Sequence, residues 1–94
     1  MKIKWTKKAL QNLEAEAEYI AKDKPAAARK MVARIKKAVT LLAEQPSAGR
    51  AGRVSGTREL IVPNTPYIIP YRIKEGRVEI LRIFHASRQW PENL

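Results

Sequence analysis

The hydrophobic period of this chain changes once, at Pro46, and that change narrows the folds open to it. Upstream, Leu10, Leu13, Ala17 and Ile20 recur at spacings of three and four residues, as do Ala28, Met31, Ile35, Ala38 and Leu42. Such spacing puts apolar side chains on one face of a helix. Downstream, the apolar residues come in short β-rich runs: RELIV (58–62), YIIPYRI (67–73) and RVEILRIF (77–84). They are separated only by PNTP and KEG, linkers short enough for antiparallel hairpins. The first half therefore reads as a helical hairpin and the second as an antiparallel meander.

The punctuation agrees. KIKW is a short opening strand, and Thr6 is placed to cap the first helix, with Trp5 and Leu10 as a hydrophobic staple. This helix ends near Lys22, where KDKP interrupts the pattern. Pro25 suits the first turn of a second helix, where its missing N–H has no bond to make. That helix runs to about Ala43 and Pro46 closes it. PSAGRAGRVSGT is a loop by composition, and HASRQWPENL a polar tail. Pro70 is the exception: it sits in the middle strand of the meander although it cannot donate to a ladder, so a bulge or an unpaired position is expected there. There is no repeat and no second domain, so residues 1–94 form one unit.

Charge bears on partners. The chain has 19 basic and 9 acidic residues, a formal net charge of +10. Nine of the 11 cations before residue 47 are lysines, whereas seven of the eight after it are arginines. The forked guanidinium pairs with phosphates and carboxylates, so the second half is the expected working surface, for an anionic partner such as nucleic acid or an acidic protein. With no cysteine, a disulfide framework and thiolate metal sites are excluded. No apolar run approaches a membrane span, and no apolar stretch follows the N-terminal lysines as in a secretory signal. A soluble cytoplasmic protein without metal or cofactor is expected.

Few residues suit chemistry. Gly49, Gly52 and Gly56 lead into a strand and not a helix, so they fail the requirement of a phosphate-binding loop. His85, the single histidine, stands at the end of the last strand. It is either a general acid or base, or a local hydrogen-bonding anchor for the tail. Arg58, Arg72, Arg82 and Arg88 lie on or beside the sheet and either bind phosphates or pair with Glu59 and Glu79 across strands. Tyr67, Tyr71 and Trp90 could stack on bases, but in a domain this poor in aromatics they read first as packing residues. Glu14, Glu16 and Glu18 read as solvated charge on a lysine-rich helix.

Four stretches, AEYIAKDKPAAARK, SAGRAGRVSGTRELIV, TPYIIPYRI and VEILRIFHASRQWP, together resemble the RelE/ParE superfamily of bacterial type II toxins over nearly the whole chain. The resemblance implies an α+β fold: a short N-terminal strand and a helical hairpin packed on a small twisted antiparallel sheet. It also implies a cognate acidic antitoxin, partly disordered when free, lying along the helices and the sheet margin. RelE-like members cut mRNA in the ribosomal A site, with the 2′-hydroxyl as nucleophile, whereas ParE-like members poison DNA gyrase without a known catalytic step. This chain has Glu59, Leu60 and Ile61 where the nucleases carry lysines, and Ile68 where an arginine is usual. TRELIV and HASRQWP look more like ParE. On the ParE reading, Arg58, Arg72, Arg88 and Trp90 bind the target and no residue is catalytic. On the nuclease reading, His85 is the acid–base group, and Arg58, Arg72 and Arg88 clamp phosphate.

Overall fold

Thr6 joins the two halves of the molecule. The computed structural model describes residues 1–90 and Leu94; Pro91, Glu92 and Asn93 of the polar tail lie outside the described residues. Strand β1 (Lys2–Trp5) ends at Thr6, and helix α1 (Lys7–Ala21) starts there. The Thr6 side chain accepts from the Ala9 N–H at 3.2 Å, and its hydroxyl donates to the Ile80 carbonyl at 2.7 Å. The cap therefore fixes the helix start and ties it to the sheet. The Trp5–Leu10 staple is not formed: Leu10 is 49% exposed, while Trp5 packs on the core. The buried stripe of α1 is Ala9, Leu13 and Glu16, with Ala17 and Ile20 partly covered.

Helix α2 (Pro25–Leu41) has its proline in the first turn as expected, and Ala28, Met31, Ile35 and Ala38 are buried with Val39. It returns antiparallel beside α1 after a short turn. A loop then leads to β2 (Arg50–Ala51), β3 (Arg58–Ile61), β4 (Tyr67–Lys74), β5 (Arg77–Ile80) and β6 (Phe84–His85).

The sheet order is β1-β5-β4-β3-β2, with β6 also paired to β4. The meander is antiparallel as expected, but β1 joins β5 in parallel, Lys2 opposite Arg77 and Trp5 opposite Ile80. The sheet is thus mixed. Both strands must run toward the same end, because Thr6 bonds to Ile80 there. Tyr67, Ile69, Tyr71, Val78 and Ile80 face the helices and form the core with Leu13, Met31, Ile35, Val39 and Leu42. The polar loop is pinned to this core by Tyr71, whose hydroxyl donates to the Pro46 carbonyl at 2.7 Å and accepts from the Gly49 N–H at 2.8 Å.

The run RVEILRIF is two strands and not one. Tyr71 pairs with Ile80 and Ile68 with Phe84, so two residues of β4, Ile69 and Pro70, face three of the partner, Leu81 to Ile83. That is a one-residue bulge, opposite the proline. The Pro70 carbonyl accepts from the Leu81 N–H at 3.0 Å. In an extended strand N–H and C=O of one residue point the same way, so the donor that proline lacks would have faced this break.

Candidate functional site

Strand parity separates the arginines. Tyr67, Ile69 and Tyr71 face the helices, so Ile68, Pro70 and Arg72 face away, with their register partners Phe84, Glu59 and Glu79. Lys2, Lys4, Lys74 and Arg77 share this open face by the same register. Arg50, opposite Glu59 on β2, completes the strand cations, and Arg53 reaches in from the following loop. Among the described residues, two carboxylates stand against this excess of cations, each buried and each paired.

Glu59 is 3% exposed. It is held by Arg50 at 3.1 Å and Arg53 at 3.1 Å, and it accepts from the Arg53 backbone N–H at 2.8 Å. Burial pushes its pKa up, but the Arg53 backbone and the two guanidinium groups outweigh that and hold the carboxyl below its ordinary range. Glu79 accepts from Arg72 at 2.6 Å. That bond lowers its pKa against the opposing effect of desolvation, with help from the Lys4 and Lys74 charges. Arg53 also stacks on Trp90, 3.6 Å from the ring centroid, and Phe84 packs against the same indole, tilted, with centroids 4.6 Å apart.

The opposite side carries a different set. A groove of about 600 Å³ runs between the helical hairpin, the turn at Asn64–Pro66 and the tail. His85 and Arg88 meet there with Glu16, Tyr19 and Tyr67, and Lys30 and Arg34 stand along one wall. His85 lies edge-on to Tyr67, centroids 5.7 Å apart. The Ser87 N–H points at His85 Nδ1 at 3.3 Å, and the Ser87 hydroxyl lies 2.8 Å from it. A backbone N–H can only donate, so Nδ1 is the acceptor and the neutral ring carries its proton on Nε2. Arg88 pairs with Glu16 through both guanidinium nitrogens, Nη2 to Oε2 at 3.4 Å. Burial raises the Tyr67 pKa, with the Glu16 charge adding to the rise and Arg88 opposing it.

The residues singled out in the sequence are thus divided among three places. His85 and Arg88 share the groove. Arg72 and Trp90 belong to the open face. Arg58 is in neither: its guanidinium turns back to the loop, donating to the carbonyls of Gly49 at 2.9 Å and Ser47 at 3.3 Å. Arg82 donates to the Leu81 carbonyl at 3.0 Å.

Of the two fates considered for the arginines, pairing describes Arg72 with Glu79. Glu59, however, is taken by Arg50 of β2 and Arg53 of the loop after it, two residues of the stretch that reads as loop by composition. Glu16 was misread as solvated. It is 6% exposed, and its position three residues after Leu13 and four before Ile20, on the apolar stripe itself, was the signal that could have found it.

Comparison with known proteins agrees with this architecture. Residues 3–90 match the family described as "ParE toxin of type II toxin-antitoxin system, parDE". The chain is 53% identical over 93 residues to "Putative toxin Y4kP" of Sinorhizobium fredii (strain NBRC 101917 / NGR234), covering 99% of this chain and 96% of that one. It is 42% identical over 84 residues to "Toxin RelE2" of Caulobacter vibrioides (strain ATCC 19089 / CIP 103742 / CB 15), covering 89% and 93%. A chain of the solved structure "Chromosomal ParDE TA system from P. aeruginosa" superimposes with a TM-score of 0.84 at 33% identity, over 93% of this chain and 97% of that one. Helical hairpin, mixed sheet and near full-length likeness lead to one conclusion: the chain belongs to the ParE toxin family of type II toxin–antitoxin systems, within the RelE/ParE superfamily.

Proposed function

We propose that this toxin arrests growth by binding DNA gyrase through its basic open face and tail, without a catalytic step of its own, and that a cognate acidic antitoxin neutralises it in the cytoplasm. The observation that supports this reading is the separation of His85 from the open-face cations. A ribonuclease needs a base for the 2′-hydroxyl, an acid for the leaving oxygen and cations on one phosphate. Here the acid–base candidate lies in the groove beside the helices, its Nδ1 is engaged by Ser87, and Arg72 is on the other side of the sheet, paired with Glu79. Arg72, Arg88 and Trp90 then serve as binding residues, and Arg58 as a brace for the loop beneath β2. The antitoxin reading rests on charge: an acidic, disordered segment folds onto a surface of this sign, and the groove with Lys30, Arg34 and Arg88 offers it cations beside apolar Ile20 and Met31.

Ribosome-dependent mRNA cleavage is the second reading. The name of the Caulobacter relative favours it, as does the meeting of His85 with Arg88 in one groove. The test mixes the purified toxin with gyrase, ATP and relaxed plasmid. Loss of supercoiling or trapped DNA breaks, reversed by the antitoxin and retained in His85→Ala, is the expected result. Unimpaired supercoiling, with cleavage of ribosome-bound mRNA that His85→Ala abolishes, would overturn it.

A further inference from the structure

The tail is held at two points on opposite sides of the molecule. Ala86 N–H donates to the Pro66 carbonyl at 2.7 Å and Arg88 N–H to the His85 carbonyl at 3.1 Å, so the chain turns sharply after β6. The Arg88 side chain then reaches Glu16 of α1, 72 residues away in sequence, on the helix side of the sheet. Two residues later Trp90 packs against both Phe84 and Arg53 on the open side.

These two anchors differ in kind. Glu16 is buried in the apolar stripe of α1 between Leu13 and Ile20, where a carboxylate is costly without a charged partner. Arg88 is that partner, and its fork meets both carboxylate oxygens. Trp90, by contrast, is held by stacking alone: its Nε1–H is buried with no hydrogen-bond partner among the described residues. Arg53, on which it stacks, is itself fixed by Glu59.

We propose that Glu16 is a positioning residue of the toxin: by gripping Arg88 it straps the tail across the end of the sheet and so seats Trp90 beside Arg53 on the basic face. This rests on the reading that the open face and tail meet the target. Glu16 touches no target. It acts through Arg88, and the surface that carries Trp90 is assembled only while the strap is closed.

The chain has two tryptophans, so in a Trp5→Phe background Trp90 is the only indole and reports its own exposure. Glu16→Gln is the first variant, because the Arg88 side chain is 57% exposed and remains solvated when its partner is lost, whereas removing Arg88 strands a buried carboxylate. The expected result is an unchanged circular-dichroism melt, a rise in acrylamide quenching of Trp90, and loss of growth arrest on induction. Arg88→Lys keeps the charge on Glu16 and removes only the fork. It is expected to give an intermediate rise in quenching, and it decides the matter if Glu16→Gln does not fold.

Quenching that stays at the parental level overturns the strap, whatever growth does. A freed Trp90 with growth arrest intact overturns the positioning role. A parent that leaves gyrase supercoiling unimpaired sinks the gyrase reading instead, and the quenching comparison still decides the strap.

Discussion

Gly49 shows how a single position in a loop that looked featureless can be constrained on every side. A Cβ built there would lie 2.6 Å from Tyr71 Cε1, 2.7 Å from its hydroxyl oxygen and 2.9 Å from the Glu59 carbonyl oxygen. The last is backbone and cannot move aside cheaply. The expected cost of Gly49→Ala is about 1–3 kcal/mol, the range of overpacking in a tight site, read as a lower urea midpoint with unchanged slope. An unchanged midpoint would mean that Tyr71 does not hold the loop as described. Glu16 teaches the same lesson from the other direction. Its residue type argued for solvent, its spacing argued for the core, and spacing prevailed because Arg88 was available to neutralise it. Nothing near Glu16 in the sequence announces a partner 72 positions away.

Among the elements, the hairpin between β4 and β5 was legible almost in full, since KEG between two β-rich runs demands a tight turn. Glu75 (φ 53°) and Gly76 (φ 74°) both lie in the left-handed region, the pattern of a type I′ turn. Glutamate is a poor choice for its first position, where asparagine is favoured. Glu75→Asn is therefore expected to stabilise the domain by roughly 0.4–1 kcal/mol, the scale of such turn effects, and calorimetry would register a higher Tm. A lower Tm would show that the exposed Arg77–Glu75 contact at 3.5 Å contributes more than the turn preference.

The last strand was legible only in part. RVEILRIF reads as continuous, yet the bulge at Leu81–Ile83 splits it, because Pro70 on the neighbouring strand offers no N–H at that point. The proline did announce an irregularity; which strand would absorb it depended on the pairing partner.

At the scale of the whole molecule, three buried carboxylates among the described residues are paired with arginines: Glu59 with Arg50 and Arg53, Glu79 with Arg72 on the neighbouring strand, and Glu16 with Arg88 of the tail, the one pair that spans most of the chain. Glu59 and Glu79 have folded pKa values below their ordinary ones. Their contribution to stability is complete above the unfolded carboxylate pKa of about 4.3 and is lost as pH falls through the lowered folded values. Acid denaturation is therefore expected to set in below about pH 4, and Glu59→Gln should flatten this acid limb while lowering stability near neutrality. An acid limb identical in wild type and Glu59→Gln would contradict the pairing. Local order thus carried far: hydrophobic period, caps, prolines and short turns specify the helical hairpin and the antiparallel meander, since each acts over a few residues. The split of the arginines between two faces, the parallel docking of β1, and the pairing of Glu16 with Arg88 lie beyond that range. They follow from which strands become neighbours and on which side the helices land, so a charge that looks free along the chain finds its partner only when remote segments meet.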